Sequence, residues 1–535
     1  MMDYQLTVPT LLRRAESLFG KKEIVTLLPG KTIHRYTYLD FAARTKKLAM
    51  ALQQLGIGRG DRVATLSWNH YQHLEAYFAI PSFGAIIHPL NLRFSPDDLA
   101  YIVNHAEDKI LIVDEVLLPL FEKFKSATNI SKVIVIPQTG EPLPKAYLNY
   151  EEVLAIGDEK NFEPFEGDEY TAAFMCYTSG TTGKPKGILY SHRSIVLHAM
   201  AFLLSCSGGG ITERDIVLPV VPMFHAGAWG FPFSCTFVGA SQVFPGPHLD
   251  ADSLVHLLET ENVTVTGGVP TVMRNILHKL DADPNQHKLF LRLVVLGGAA
   301  APRSLIESFQ ERHGIQVLNT WGMTEMSPLG TTSVTTTKLQ SATREEQYGH
   351  AIKQGMPVPF VEIRGRNESG FIPWDGTTMG ELEVRGPWVA ASYYRIADEN
   401  EKFTPDGWLR TGDIVTISED GFIEIADRSK DLIKSGGEWI SSVALENALM
   451  DHPSVLEAAV IAVPDEKWIE RPFAYIVPRK EKNVSADELK AFLSGKFAKF
   501  WIPENYAILE SIPKTSVGKF LKSALREKYL KEHEG

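Results

Sequence analysis

Residues 175–194 read MCYTSGTTGKPKGILYSHRS. Between the apolar runs AAFMCY and ILYSHRS, the stretch Thr178-Ser179-Gly180-Thr181-Thr182-Gly183 packs hydroxyls and glycines together, and Lys184 and Lys186 follow at once. Glycine lets backbone N–H groups approach a ligand closely, hydroxyls add donors and lysine adds charge, so this composition suits a phosphate-binding loop. The cradle of nucleotide hydrolases requires Gly-x4-Gly-Lys-Ser/Thr. Here Pro185 follows Gly183-Lys184, and Thr178 stands where the first glycine is required. Both positions exclude that cradle while leaving a phosphate ligand as the expectation.

Four further stretches carry chemistry: Trp321-Gly322-Met323-Thr324-Glu325, Arg410-Thr411-Gly412-Asp413, Asp427-Arg428-Ser429-Lys430-Asp431-Leu432-Ile433-Lys434, and Pro513-Lys514-Thr515-Ser516-Val517-Gly518-Lys519. Each alone has a bland reading. Glu325 suits a helix N-terminus, where the dipole favours a carboxylate. Asp413 suits an ordinary turn, and Lys519 a solvated basic tail. Together, and in this order over nearly the whole chain, they resemble the motifs of the adenylate-forming superfamily of acyl-CoA synthetases, peptide-synthetase adenylation domains and luciferases. The segment KDLIKSGGEWISSVALENALM is similar to bacterial and archaeal medium- and long-chain fatty acyl-CoA synthetases, including the thermophilic long-chain type.

The resemblance implies a reaction in two halves. A fatty carboxylate attacks the α-phosphorus of ATP to give acyl-adenylate and pyrophosphate; the thiol of CoA then takes the acyl group and AMP leaves. Because the first nucleophile is already an anion approaching a polyanion, positioning and positive charge should dominate catalysis. By the same resemblance Lys519 is the catalytic lysine, Glu325 holds Mg²⁺, and Thr178 and Thr324 contact phosphate or the metal's shell. Ser179, Gly180, Thr181, Thr182, Gly183 and Lys186 complete the phosphate loop. Gly298, Ala299, Asn319, Trp321 and Gly322 line the adenine slot, with tryptophan where the family often has tyrosine. Asp413 binds the ribose hydroxyls, and Arg428 assists from the other side. Lys430 marks a hinge, Gly436 and Gly437 approach the CoA pantetheine, and Lys434 and Trp439 are secondary nucleotide contacts. His225 and Trp229, in PMFHAGAWGF, resemble the acyl-site histidine and a gate to a fatty-acid tunnel; read from the residues alone, an aromatic in such an apolar run is more often simply buried core.

The elements that must position these groups follow from periodicity. Tyr38–Leu55 has apolar residues at helical spacing, and a helix begins after Ser95; RVATLSW, AIIHPLN and KILIVDE read as strands between helices. VTVTGGVP, LRLVVLGG and IQVLNTW repeat the pattern, which predicts an α/β fold with parallel-rich sheets wrapped by helices. After about Gly355, VEIRG, GELEVRG, DIVTISEDG and FIEIADR alternate as strands of a β-rich subdomain. The expected organisation is a large N-terminal domain over 1–426, a hinge over 427–434, and a small mobile α+β C-terminal domain over 435–535, its helix opened by a capping box at Ser485–Glu488.

Composition narrows the partners. With 54 Lys+Arg against 65 Asp+Glu the net charge is -11, which argues against nucleic acid. Cys176, Cys206 and Cys235 have neither disulfide-framework nor metal-ligand spacing, and the N-terminus lacks a signal-peptide pattern, so a cytoplasmic enzyme is expected. From Ile216 to Leu249 no Asp, Glu, Lys or Arg occurs, but the prolines and glycines that break this run predict buried core around a pocket, not a membrane span. Its uncharged lining favours an apolar acyl tail. Other readings are an aryl or sulfur-containing carboxylate, transfer to a carrier-protein thiol, or a nucleotide-binding protein without turnover. Analogy with the long-chain relatives suggests a homodimer.

Overall fold

The structure is a computed structural model that describes the chain except residues 179–183, 207–209, 284–286, 397–400, 436, 437, 481, 515–519, 534 and 535. Packing divides it into two compact units. One holds the chain up to the phosphate loop together with Lys184–Glu362 and Arg385–Leu409; the other holds Ile363–Val384 and the chain from Arg410 onward. Packing thus groups Arg410–Ala426, expected in the large domain, with the residues that follow the expected hinge.

The first unit contains the predicted alternation. Among the described residues, seven strands form a sheet ordered Leu148–Asn149, Lys132–Ile136, Asp108–Asp114, Arg62–Leu66, Ile86–Pro89, Ala172–Tyr177 and Gly187–Ser191. All pairings are parallel except the last, Ala172–Tyr177 against Gly187–Ser191, which is antiparallel. That antiparallel pair flanks the phosphate loop. A second sheet runs parallel through Ser241–Phe244, Ile216–Pro219, Val265–Gly268, Leu293–Leu296 and Gln316–Gly322, then turns antiparallel into Leu329–Thr332. Strands buried on both faces read as continuous apolar runs, and Leu293–Leu296 is buried throughout.

Local chemistry accounts for the helix ends. The Thr37 hydroxyl accepts from Asp40 N while the Asp40 carboxylate accepts from Thr37 N, a reciprocal box that opens Tyr38–Gln54 and contributes about 1 kcal/mol. Phe41, Leu48 and Leu52 of that helix are fully buried. The Ser95 hydroxyl accepts from Asp98 N at the start of Pro96–Ala106. The expected capping box at Ser485 is only half formed. Its hydroxyl accepts from Glu488 N, but the Glu488 carboxylate is drawn 3.3 Å from Nε2 of His452, so the local reciprocal bond yields to a tertiary partner.

The charge-free stretch is core, as expected: Val217, Leu218, Phe231 and Val243 are fully buried. No helix among the described residues is long and apolar enough to cross a membrane. Cys176, Cys206 and Cys235 are buried free thiols, and burial pushes the Cys176 and Cys206 thiols up to about 12.

The second unit carries a five-stranded sheet in the order Gly370–Phe371, Glu362–Asn367, Gly380–Arg385, Leu409–Ile417, Ile423–Arg428. A further sheet pairs Val455–Asp465 antiparallel with Ile469–Pro478 and takes Asn505–Ile508 on the other side of the latter strand. Helices Ser442–Met450, Ala486–Ser494 and Lys522–His533 complete it.

Candidate active site

In the first unit the site begins with the stem of the phosphate loop. Thr178 N donates to the Lys186 carbonyl at 2.9 Å, and Lys186 N donates to the Thr178 hydroxyl at 3.2 Å. Thr178 and Lys186 are therefore clasped to each other. Ser179, Gly180, Thr181, Thr182 and Gly183 themselves lie outside the described residues.

The strand Gln316–Gly322 delivers the next group. Asn319 is buried, and its amide donates to the carbonyls of Ile352 and Lys353, both at 3.0 Å. Its side chain therefore holds the 352–353 backbone in place. Gly298 has φ +79°, and it and Ala299 are exposed just beyond the buried strand Leu293–Leu296. Trp321 is buried against Gly330, where a β-carbon would lie 2.6 Å from the indole. Gly322 has even less room, since a β-carbon there would stand 1.9 Å from the Pro328 carbonyl oxygen. Gly322→Ala is therefore expected to lose at least about 2 kcal/mol of stability, read from denaturant midpoints; an unchanged midpoint would refute this account of the glycine.

Beyond Gly322 a single 3-10 turn, Thr324–Met326, presents Glu325. Two tyrosines fix it. The Tyr190 hydroxyl donates to the Thr324 carbonyl at 2.6 Å. The Tyr393 hydroxyl donates to Glu325 Oε1 at 2.7 Å, and the face of its ring lies 5.0 Å from the Lys186 ammonium. Ala390 N also donates to the Glu325 carbonyl at 2.7 Å, and Tyr394 N to the Gly187 carbonyl at 2.8 Å. The 390–394 segment thus ties the carboxylate to the exit of the phosphate loop.

Trp229 stands nearby. Residues 226–230 all have positive φ, from 39° at Ala226 to 81° at Gly230, which makes a short left-handed turn. Left-handed backbone costs about 1–2 kcal/mol for each non-glycine residue, so surrounding contacts must hold it. A β-carbon on Gly230 would meet the His198 ring at 2.5 Å, and one on Gly227 would lie 3.6 Å from Phe174. His198 is fully buried, and desolvation pushes its imidazole down to about 3, so it stays neutral. The turn sets the Trp229 ring beside Gly297 and Gly298: a β-carbon on Gly297 would lie 3.1 Å from it, and one on Gly298 3.6 Å. His225 precedes the turn, half-buried, and its carbonyl accepts from Ala228 N. The adjoining cavity, lined by Phe174, Tyr190, Ile195, His198 and Phe233 among others, has room of about 10 Å³. That suffices for about one water.

In the second unit Asp413 and Arg428 are cross-strand partners. Arg428 Nε lies 2.5 Å from Asp413 Oδ1, with Asp413 buried. The expectation had Arg428 assisting a ribose from the side opposite Asp413; here the two form one ion pair. Gly412, at φ +77°, donates its N–H to Glu381 Oε1 at 3.1 Å, and Asp413 N donates to the Thr411 hydroxyl at 3.1 Å. Lys430 is exposed in the turn after Ile423–Arg428. Lys434 and Trp439 are cross-strand neighbours, and Lys434 N donates to Glu470 Oε2 at 2.7 Å. Gly436, Gly437 and Lys519 lie outside the described residues.

The chain is similar to known proteins. The model of the AMP-binding enzyme family matches residues 12–394, and that of the AMP-binding enzyme C-terminal domain matches 444–519. The chain belongs to the AMP-binding enzyme family. Among relatives, the long-chain-fatty-acid–CoA ligase of Thermus thermophilus is 49% identical over 99% of this chain and 96% of its own length. The 3-methylmercaptopropionyl-CoA ligase of Ruegeria lacuscaerulensis is 41% identical over 99% and 98%. Among solved structures, the o-succinylbenzoate coenzyme A synthetase of Bacillus subtilis in complex with ATP and magnesium ion is 26% identical, with a TM-score of 0.81 over 96% of this chain and 99% of that one.

Two residues of this AMP-binding enzyme escaped the sequence reading. Tyr190 carried a faint signal, because a tyrosine on the buried face of a strand must find a partner for its hydroxyl. Tyr393 carried none, lying between regular elements and 68 positions from the glutamate it binds. As for a metal, no three His, Cys, Asp or Glu side chains gather into a cage among the described residues. Mg²⁺ needs none where one carboxylate, water and substrate phosphates complete its octahedron, and the Glu325 carboxylate fits that role.

Proposed function

We propose that this AMP-binding enzyme is an ATP-dependent fatty acid–CoA ligase that joins a fatty carboxylate to CoA through an acyl-adenylate, releasing pyrophosphate and then AMP. The observation that carries this reading is the Tyr393 bridge. One side chain gathers a carboxylate suited to Mg²⁺ and a lysine at the foot of a clasped phosphate loop, so opposite charges are presented side by side to a polyphosphate. The strong identity with a long-chain-fatty-acid–CoA ligase supports the substrate class.

In this reading Glu325 and Thr178 hold Mg²⁺, which when bound offsets phosphate charge. Lys186 and the loop N–H groups orient the β- and γ-phosphates. Gly298, Ala299, Trp321 and Gly322 receive adenine. Asp413, its carboxylate oriented by Arg428, accepts from the ribose hydroxyls. Lys519 meets the incoming carboxylate, and rotation near Lys430 exchanges it for the CoA path past Gly436 and Gly437. Lys434 and Trp439 serve as secondary nucleotide contacts, and His225 closes one end of the acyl site. The enzyme acts in the cytoplasm as a homodimer.

The test is ATP–pyrophosphate exchange over a panel of carboxylates, followed by CoA addition. Exchange that depends on a fatty acid, with AMP released only when CoA follows, is the expected result. Exchange with no carboxylate would overturn the reading in favour of a nucleotide-binding protein, and AMP release only with a carrier protein would change the acceptor. A second reading, a short sulfur-containing carboxylate, draws on the 41% identity to the Ruegeria ligase; it predicts the fastest exchange with 3-methylmercaptopropionate. Trp229→Ala is expected to raise kcat/KM for bulkier acyl chains about tenfold relative to short ones, in line with pocket discrimination per group. An unchanged chain-length profile would return Trp229 to a packing role.

A further inference from the structure

The residues that flank Lys430 on the two sides of the chain are bonded to one another. Before it, Asp427 is buried; after it, Ser442 opens the helix Ser442–Met450. Asp427 Oδ2 accepts from Ser442 N at 2.6 Å and from the Ser442 hydroxyl at 2.5 Å. Lys522, also buried, donates from Nζ to Ser442 Oγ at 2.5 Å and pairs with Glu446 Oε1 at 2.7 Å. The Ser441 hydroxyl donates to the Ala426 carbonyl. Arg526, one turn beyond Lys522, donates to the carbonyl of Lys430 itself at 3.2 Å and pairs with Asp431.

A torsion change at Lys430 carries everything after it relative to everything before it. It therefore cannot occur while Ser442, itself held by Lys522, is bonded to Asp427. Breaking the grip would leave a buried carboxylate with fewer partners, a costly state unless another set of contacts or water replaces them. Such an element has discrete arrangements and biases which one is populated. Lys522 also follows Lys519 by three residues and starts the helix Lys522–His533. The stem of the loop that carries Lys519 is closed by Leu521 N donating to the Pro513 carbonyl at 2.8 Å. The same helix start thus lies three residues from the proposed catalytic lysine in sequence and holds Ser442, the partner of Asp427.

We propose that Asp427, Ser442 and Lys522 form a cross-hinge latch that selects the hinge state seen here, acting as positioning residues that set how the enzyme divides its time between the two half-reactions. This rests on the two-step reaction proposed above. A latch changes the balance of states, so weakening it moves the two half-rates apart, whereas a merely structural role moves them together or not at all.

The experiment measures single-turnover acyl-adenylate formation, and separately CoA thioester formation from supplied acyl-adenylate, using the panel carboxylate with the fastest exchange. In Ser442→Ala, which keeps the backbone bond to Asp427 but removes the shared hydroxyl, the ratio of the two rates is expected to shift threefold or more from that of the unaltered protein. Ser442→Thr, which restores the hydroxyl, should bring it back. A shift under threefold overturns the latch. If Ser442→Ala fails to fold, Asp427→Asn decides by the same threshold. Absence of carboxylate-dependent exchange in the unaltered protein would sink the reaction itself; an active protein whose ratio does not move sinks only the latch.

Discussion

Lys519→Ala is expected to lower the rate of acyl-adenylate formation by about a thousandfold while leaving thioester formation from supplied acyl-adenylate within a few-fold of normal. The effect is electrostatic. The carboxylate that opens the reaction must approach an α-phosphorus surrounded by negative oxygens, and no proton transfer eases the way. A fixed ammonium beside both anions supplies what bulk water would have to reorganise to supply, and removing one such group from a prearranged site costs about 10²–10³ in rate. The second half-reaction has no such requirement, since the attacking group is a thiol and the acyl group is already activated. Measuring both halves on folded protein decides the matter: an equal loss in each would refute the division of labour and make Lys519 a general structural or binding residue.

Glu325→Gln is expected to reduce adenylation about a hundredfold or more and to raise the Mg²⁺ concentration needed for half-maximal rate. The amide matches the carboxylate in shape and can still accept from Tyr393, whose hydroxyl lies 2.7 Å from Oε1. Only the charge is lost. That charge is what a hard divalent ion requires of the protein when phosphates and water supply the remaining oxygens. Tyr393→Phe tests the same arrangement from the other end. It removes the hydroxyl that fixes the carboxylate but keeps the ring that lies against Lys186, so a smaller loss of about tenfold is expected. Full activity in Glu325→Gln at ordinary Mg²⁺ would remove the glutamate from the metal's shell.

Much of this protein is legible along the chain. Tyr38–Gln54 is announced by its spacing of apolar residues and by Thr37 and Asp40. The parallel strands of the first unit stand out because both of their faces are buried, which leaves apolar runs between helices. Residues 178–186 stand out by composition, with glycines for approach, hydroxyls for donors and lysines for charge, which is why a phosphate ligand is expected there. Trp321–Glu325 and Arg410–Asp413 stand out only as members of an ordered set, since a lone glutamate or a lone turn aspartate has commoner explanations.

What escaped was pairing at a distance. Tyr393 meets Glu325 only because the chain returns from elsewhere, and no local pattern encodes that return. Arg428 and Asp413 were each singled out, yet their salt bridge depends on the register of two strands, which decides whether side chains meet or part. The Ser485 box failed for a related reason, because Glu488 has a tertiary suitor in His452 that outcompetes the local bond. The left-handed turn at residues 226–230 is the extreme case. Ala226, Ala228 and Trp229 prefer the opposite hand, so their conformation is imposed by the walls around them.

That imposed turn has a consequence for anyone who would exchange specificities between relatives. A segment that adopts its shape on its own can be cut out and grafted; one that is held against its preference cannot travel alone. A chimera that borrows His225–Phe231 without Phe174 and His198, which crowd Gly227 and Gly230, would let the backbone relax toward the right-handed form and draw the indole away from Gly297. The transferable module is therefore discontinuous, made of pieces scattered along the chain, and swaps should be designed around the walls as much as around the turn they enclose.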